Sequence, residues 1–362
     1  MDLSRKLPVG VQDFEKLREE GYIYVDKSEY VYNLTHSGSS YFLARPRCFG
    51  KTLLLSTLES YFKGRKDLFE GLKIESLEEE WQDYPIFHID FSTDVYSTEG
   101  NLDVSLNTFL TEQEQRYGKH EERTTYAKRF EHVIHRAYET SGKPVVVLID
   151  DYDKPILDAM FSPVENENRE ILRNFLSALN GNDYYLKFVF VTGITKFASV
   201  NIFNGSNQLK DISLYSDFEN ICGFSADEIK NNFVQELDSL AEKQGIPQDR
   251  IFEDFSQKYS GYSFSRNLTK VFNPFSALNA LDSGELSSFW FQRGLPSMLI
   301  KMLQKSKYDI FALLEGLCVD GDGLMDYKWT EEDLTTVILQ SGYLTIRDYD
   351  ANRNLFELAF PN

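Results

Sequence analysis

Five apolar residues in a row, Val145-Val146-Val147-Leu148-Ile149, run directly into two acids, Asp150 and Asp151. A strand with one wet face alternates apolar and polar residues. A strand without a polar position is covered on both faces, as inside a parallel sheet flanked by helices. Val145, Val146 and Val147 are all β-branched, which favours extended backbone. Acids at the carboxyl end of such a strand stand where open α/β sheets bind their ligands. Tyr41 to Ala44, Pro85 to Phe91 and Leu186 to Thr192 read as further strands. Thr52 to about Phe62, Val104 to Thr140 and Asn168 to Leu179 read as helices, the first with Leu53, Leu54, Leu58 and Phe62 at helical spacing. Strands alternating with helices at this rhythm predict an α/β fold with a mainly parallel sheet.

A second motif narrows the class. Residues 42–52 read Phe-Leu-Ala-Arg-Pro-Arg-Cys-Phe-Gly-Lys-Thr, ending in Gly50-Lys51-Thr52 between a strand and a helix. At such a junction backbone N–H groups converge on the helix N-terminus, where the macrodipole favours anions. Lys51 adds a point charge for the β- and γ-phosphates, and the Thr52 hydroxyl can hold Mg²⁺. The usual phosphate loop opens with glycine five residues before Gly50, where this chain has Arg45. Asp150 then stands where an acid steadies Mg²⁺. Asp151 either acts as the base for the attacking water or simply caps a turn. Together the two motifs predict nucleotide binding of the phosphate-loop triphosphatase type, with Mg²⁺. Arg47, Cys48, Phe49, Gly50, Lys51, Thr52 and Leu53 would line the phosphates, with Thr52 and Asp150 on the metal. Lys51, Asp151 and Thr192 would carry the chemistry; Thr192, at a strand end, positions water, senses the γ-phosphate, or merely packs.

Other residues have two readings each. Arg45 supplements the loop's N–H groups, or pairs with an acid such as Asp26 or Asp90; the second is favoured, and Arg47 is open. Lys196 and Arg293 act on the γ-phosphate like an arginine finger, or are surface charges. Asp26-Lys27 reads as an ion pair flanking the nucleotide. Phe14 or Tyr22 stacks near adenine or packs in the core, and His88 reads as a satisfied core histidine. Cys48, beside a lysine, is a candidate for a lowered thiol pKa.

The chain's 362 residues suggest two or three domains. With 42% hydrophobic and 26% charged residues, it reads as a folded soluble chain. A net charge of −19 argues against bulk attraction to nucleic acid. No apolar stretch reaches membrane-spanning length, and Met1 to Lys6 lacks a leader's apolar core. Cys48, Cys222 and Cys318 are odd in number and far apart, so neither a disulfide framework nor a zinc site is indicated, and a cytoplasmic location is expected. After about Ile221 the pattern turns helical, opening with the capping signature Ser225-Ala226-Asp227-Glu228. Thr330-Glu331-Glu332-Asp333 caps a later helix, and two strands follow, joined around Asp350. The expected division is an ATPase core at 1–221, a helical lid at 222–327 and a winged-helix-like unit at 328–362, the last two offering surfaces for a protein partner. Oligomerisation is open.

Laid out in order, these segments resemble the bacterial AAA-ATPase-like family of predicted ATPases. The resemblance rests on Leu7-Pro8-Val9-Gly10 with Asp13-Phe14, Tyr24-Val25-Asp26-Lys27, Arg45-Pro46-Arg47 with Phe49-Gly50-Lys51, and Leu148-Ile149-Asp150. It continues through Tyr152-Asp153-Lys154-Pro155, Thr192-Gly193 with Lys196-Phe197, Gly261-Tyr262, Asn273-Pro274 and Ser341-Gly342-Tyr343-Leu344. It implies ATP as the nucleotide, a parallel sheet of order 51432, a helical lid and a winged-helix-like tail. Cys48 stands where that family more often has arginine. Asp151 stands where glutamate is usual, so its carboxylate is one methylene shorter. Many relatives run on into a nuclease-like domain; no nuclease chemistry is assigned to the residues of this chain.

Overall fold

The structure, a computed structural model, describes residues 5–196, 209–292, 297–307, 313, 316–321, 324 and 333–362, with the side chains of 291–298 excepted. It divides into two compact units. One comprises Met1–Tyr30, Arg45–Thr57 and Ser213–Asn362, the other Val31–Ala44 and Leu58–Ile212.

The second unit holds the parallel sheet. Its strands are β1 (Ser40–Ala44), β2 (Ile86–Asp90), β3 (Val145–Asp150), β4 (Leu186–Gly193) and β5 (Lys210–Asp211), in the order β2-β3-β4-β1-β5. All four pairings are parallel. Read from β5, this is the expected 51432 arrangement. Every residue of β3 is buried, as its unbroken apolar run requires. One face of the sheet meets Phe109, Phe130 and Phe175 from three helices, with Phe87 of β2 packed edge-on among them. The other face meets the last turns of the helix Lys51–Phe62, where Phe62 lies against Phe188.

The single helix expected over residues 104–140 is two, Asn101–Tyr117 and Tyr126–Ser141. Gly118 ends the first at φ +100°, and Thr125 caps the second by accepting from the Lys128 N–H at 3.4 Å. Only glycine enters that backbone region without strain.

In the first unit, the helices Ala226–Asn232, Val234–Gln244, Gln248–Tyr259 and Pro274–Ser283 pack around Ile229, Phe233, Leu240, Phe255 and Phe272. The Ser225 hydroxyl accepts from the Glu228 N–H, and the Glu228 carboxylate accepts from the Ser225 N–H, so the expected capping box is present. The later capping signature at Thr330–Glu332 lies outside the described residues. The expected hairpin is β7 (Thr345–Asp350) with β8 (Leu355–Ala359), and β6 (Leu317–Asp320) adds a third, antiparallel strand.

Candidate functional site

The phosphate-loop residues belong to the first unit. Arg45, where the usual motif has glycine, is buried, and its φ is not positive. Two groups that hold its guanidinium are carbonyls: it donates to Ser213 O at 2.6 Å and Phe218 O at 3.2 Å. It also stacks over the Phe264 ring at 4.3 Å. Arg45 therefore anchors the loop from within, through main-chain oxygens and an aromatic face. Pro46 lies under Gly342, whose absent Cβ would come within 2.8 Å of Pro46 Cβ. Phe49 is buried edge-on against Tyr262 and Phe264, and its carbonyl accepts from the Gly223 N–H at 3.1 Å.

Around Phe49 the chain turns twice through the left-handed region, at Cys48 (φ +66°) and Gly50 (φ +99°). Arg47 and Gly50 are exposed. Lys51 opens the helix and is buried, its Nζ donating to Arg45 O at 3.2 Å and Pro46 O at 3.4 Å. Thr52 and Leu53, in the first turn, are half-buried.

The acids belong to the second unit. Register places Asp90 of β2 opposite Asp150 of β3, and Thr192 of β4 opposite Leu43 of β1. Asp150 and Thr192 are both fully buried, and the Thr192 hydroxyl donates to Asp150 Oδ1. The same oxygen accepts from the Asp151 N–H at 3.0 Å. Asp151 has φ +46°, an uncommon conformation for a residue with a side chain and one that concentrates at functional sites. Thus Asp150, Asp151 and Thr192, far apart in sequence, form one cluster.

Lys196 pairs with Asp211 at 2.9 Å, an ion pair that joins the chain after β4 to β5; Arg293 lies outside the described residues. Lys27 does not pair with its sequence neighbour. Its Nζ reaches Glu228 at 2.6 Å and 2.8 Å, while Asp26 accepts from the Ser28 N–H at 2.8 Å. Burial pushes the Lys27 pKa down despite that partner. Phe14 is core, edge-on to Tyr24, and Tyr22 lies beside the Lys6 ammonium.

His88 is not a satisfied core histidine. Its Nδ1 meets Glu59 at 2.7 Å, while its Nε2 is buried with no hydrogen-bond partner among the described residues. Burial alone would lower its pKa, but the Glu59 carboxylate, with Asp150 and Asp90 adding to the field, raises it. Sequence reasoning also passed over Asp153, which lies fully buried and bonded to the turn after β4. Its only signal was its place in the Tyr152-Asp153-Lys154-Pro155 series.

A profile of the AAA-ATPase-like family, described as predicted AAA-ATPase, matches residues 8–203. A protein of Azotobacter chroococcum mcd 1, "Uncharacterized protein in vnfD 5'region", is 33% identical over 362 residues, covering 99% of this chain and 68% of its own length. Among solved structures, the Aeropyrum pernix ORC1 protein in complex with DNA aligns with 92% of this chain and 88% of its own, at 11% identity and a TM-score of 0.31. The profile match over more than half of the chain and the order of the sheet agree: this chain belongs to the AAA-ATPase-like family and is of the phosphate-loop ATPase kind.

Proposed function

We propose that this chain binds ATP with Mg²⁺ and hydrolyses it, residues 1–221 acting as the ATPase core. The observation that carries the reading is Lys51. Its side chain is buried at the head of a helix, and its ammonium donates to two carbonyls of its own loop. A phosphate would offer that ammonium an opposite charge, and burial strengthens such a pairing relative to water. The first N–H groups of a helix lack intrahelical partners and favour an anion.

The oxygen donors suit the metal: a threonine hydroxyl at 52 and a carboxylate at 150 are the hard ligands Mg²⁺ takes beside phosphate. When bound, Mg²⁺ neutralises charge on the β- and γ-phosphates. Lys51 then holds the phosphates, while Asp151 and Thr192 orient water and receive its proton at the Asp151 carboxylate. Because Pro46 and Phe49 rest on Gly342, Tyr262 and Phe264, a shift of the loop is felt by the 222–327 and 328–362 segments, through which a protein partner would be engaged. A cytoplasmic location accords with this role.

The test is steady-state ATP turnover with and without Mg²⁺, in wild type and Lys51→Ala. Turnover that persists unchanged in Lys51→Ala removes the proposal. A second reading, a switch that binds nucleotide and hydrolyses it slowly, is favoured by Asp151, a short carboxylate on left-handed backbone. It predicts tight binding with negligible turnover.

A further inference from the structure

Asp153 occupies the N-cap position of the helix Lys154–Ala159, yet its carboxylate does not cap that helix. An N-cap aspartate ordinarily accepts from the helix's own free N–H groups. Here Oδ2 instead accepts from the Ile194 N–H at 3.0 Å, the Thr195 N–H at 2.7 Å and the Thr195 hydroxyl at 2.7 Å. All three donors lie just past the end of β4, beyond Thr192 and Gly193. The Tyr152 N–H donates to Thr192 O at 3.0 Å, one residue ahead of Asp153. Gly193 fits between because it has no Cβ, which would stand 2.7 Å from Asp153 Oδ1 and 2.8 Å from the Tyr152 ring. Residues 150–153 and 192–195 are thereby joined bond by bond, and every residue of both segments except Asp151 is buried.

We propose that Asp153 is a positioning residue: by holding the Ile194–Thr195 turn, it fixes where the Thr192 hydroxyl meets Asp150, and so sets the carboxylate offered to the metal. This rests on the reading of Asp150 as the Mg²⁺-side acid. Thr192 donates its hydroxyl proton to Asp150 Oδ1, which directs that oxygen toward β4. If the turn is released, Thr192 is free to rotate and Asp150 loses a fixed orientation. Residues that orient a metal's ligand typically change metal affinity or activity by about 10- to 100-fold when altered.

The experiment compares wild type, Asp153→Asn and Thr195→Val. It measures ATP affinity with and without Mg²⁺, turnover, thermal midpoint, and amide exchange at 192–195 without nucleotide. Asp153→Asn should keep Mg²⁺-free affinity within about twofold of wild type but lose the gain from Mg²⁺, and kcat, by about 10- to 100-fold. Its amides at 194 and 195 should exchange faster. Thr195→Val, which removes one bond and no charge, should move the same readouts less and serves if Asp153→Asn does not fold. Equal loss with and without Mg²⁺, or unchanged exchange at 194 and 195, overturns the inference. If wild type itself shows neither a Mg²⁺ gain nor turnover, the ATPase reading fails; the exchange data still judge whether Asp153 holds the turn.

Discussion

Replacing Arg45 by glycine would make the phosphate loop look conventional, and the structure says it should damage the protein. Arg45 is buried, donates to two carbonyls and lies over the Phe264 ring. Hydrogen bonds from a charged donor contribute about 1.5–3 kcal/mol each. A guanidinium over a ring out of water adds about 2 kcal/mol. Removing the side chain also removes the cost of keeping its charge from water, several kcal/mol. What remains is two carbonyls without that donor, about 1–3 kcal/mol each, and the space the side chain filled, so the net should be about 3–5 kcal/mol. Glycine offers no relief, because φ at 45 is not positive; its greater freedom when unfolded costs about 0.5–1 kcal/mol more.

At about 2–4 °C per kcal/mol, the thermal midpoint should fall on the order of 10 °C. ATP affinity should fall with it, because Lys51 rests on the carbonyl of residue 45 itself. Calorimetry on wild type, Arg45→Gly and Arg45→Lys measures this. Lysine keeps the charge but not the fork and should lie between the other two. An Arg45→Gly midpoint within about 2 °C of wild type would refute the anchoring role.

The cluster of Lys63, Glu59 and His88 should give stability a pH window. Glu59 is raised by burial, but His88 and Lys63 pull it from 4.5 to about 2, so its contribution is present above 4.5 and lost as pH falls toward 2. His88 is raised from 6.5, so its contribution is complete below 6.5 and lost as pH climbs through the folded value. The midpoint difference between wild type and His88→Asn should therefore peak between those limits and shrink by pH 9; a difference constant from pH 5 to 9 contradicts the pairing. Cys48→Gly should raise the midpoint slightly, because a side chain at φ +66° costs about 1–2 kcal/mol and glycine's added entropy takes back about half. A clear loss of stability in that variant would show that the Cys48 side chain contributes more than its backbone strain costs.

What could be read in the sequence was what is local. The β3 strand declared itself because burial on both faces leaves no polar position, and the capping box at Ser225 because its partners are three residues apart. Lys51, Thr52, Asp150 and Asp151 could be singled out as candidates because each sits at the junction of a strand with the next element. The break at Gly118 was missed because the stretches on both sides carry helical spacing, so a glycine and the Thr125 cap had to carry the signal. β6 was missed because four residues of alternating partial burial are too short to show a period.

The roles of Arg45, Lys27 and Asp153 share a different obstacle: each is decided by a partner 41 to 201 residues away. Arg45 in particular looked like a defect because the expected motif fixes attention on the residue type at one position. That glycine serves loops whose backbone must take a left-handed turn there or approach phosphate closely. In this chain the left-handed turns fall at Cys48 and Gly50 instead, leaving position 45 in ordinary backbone and able to carry a side chain inward. Once it does so, the loop is held by carbonyls of residues 213 and 218 and by the ring of Phe264, all from the later part of the chain. The missing glycine and the anchoring arginine are then one adaptation: moving the turn along the loop is what lets residues after Ser213 take hold of it.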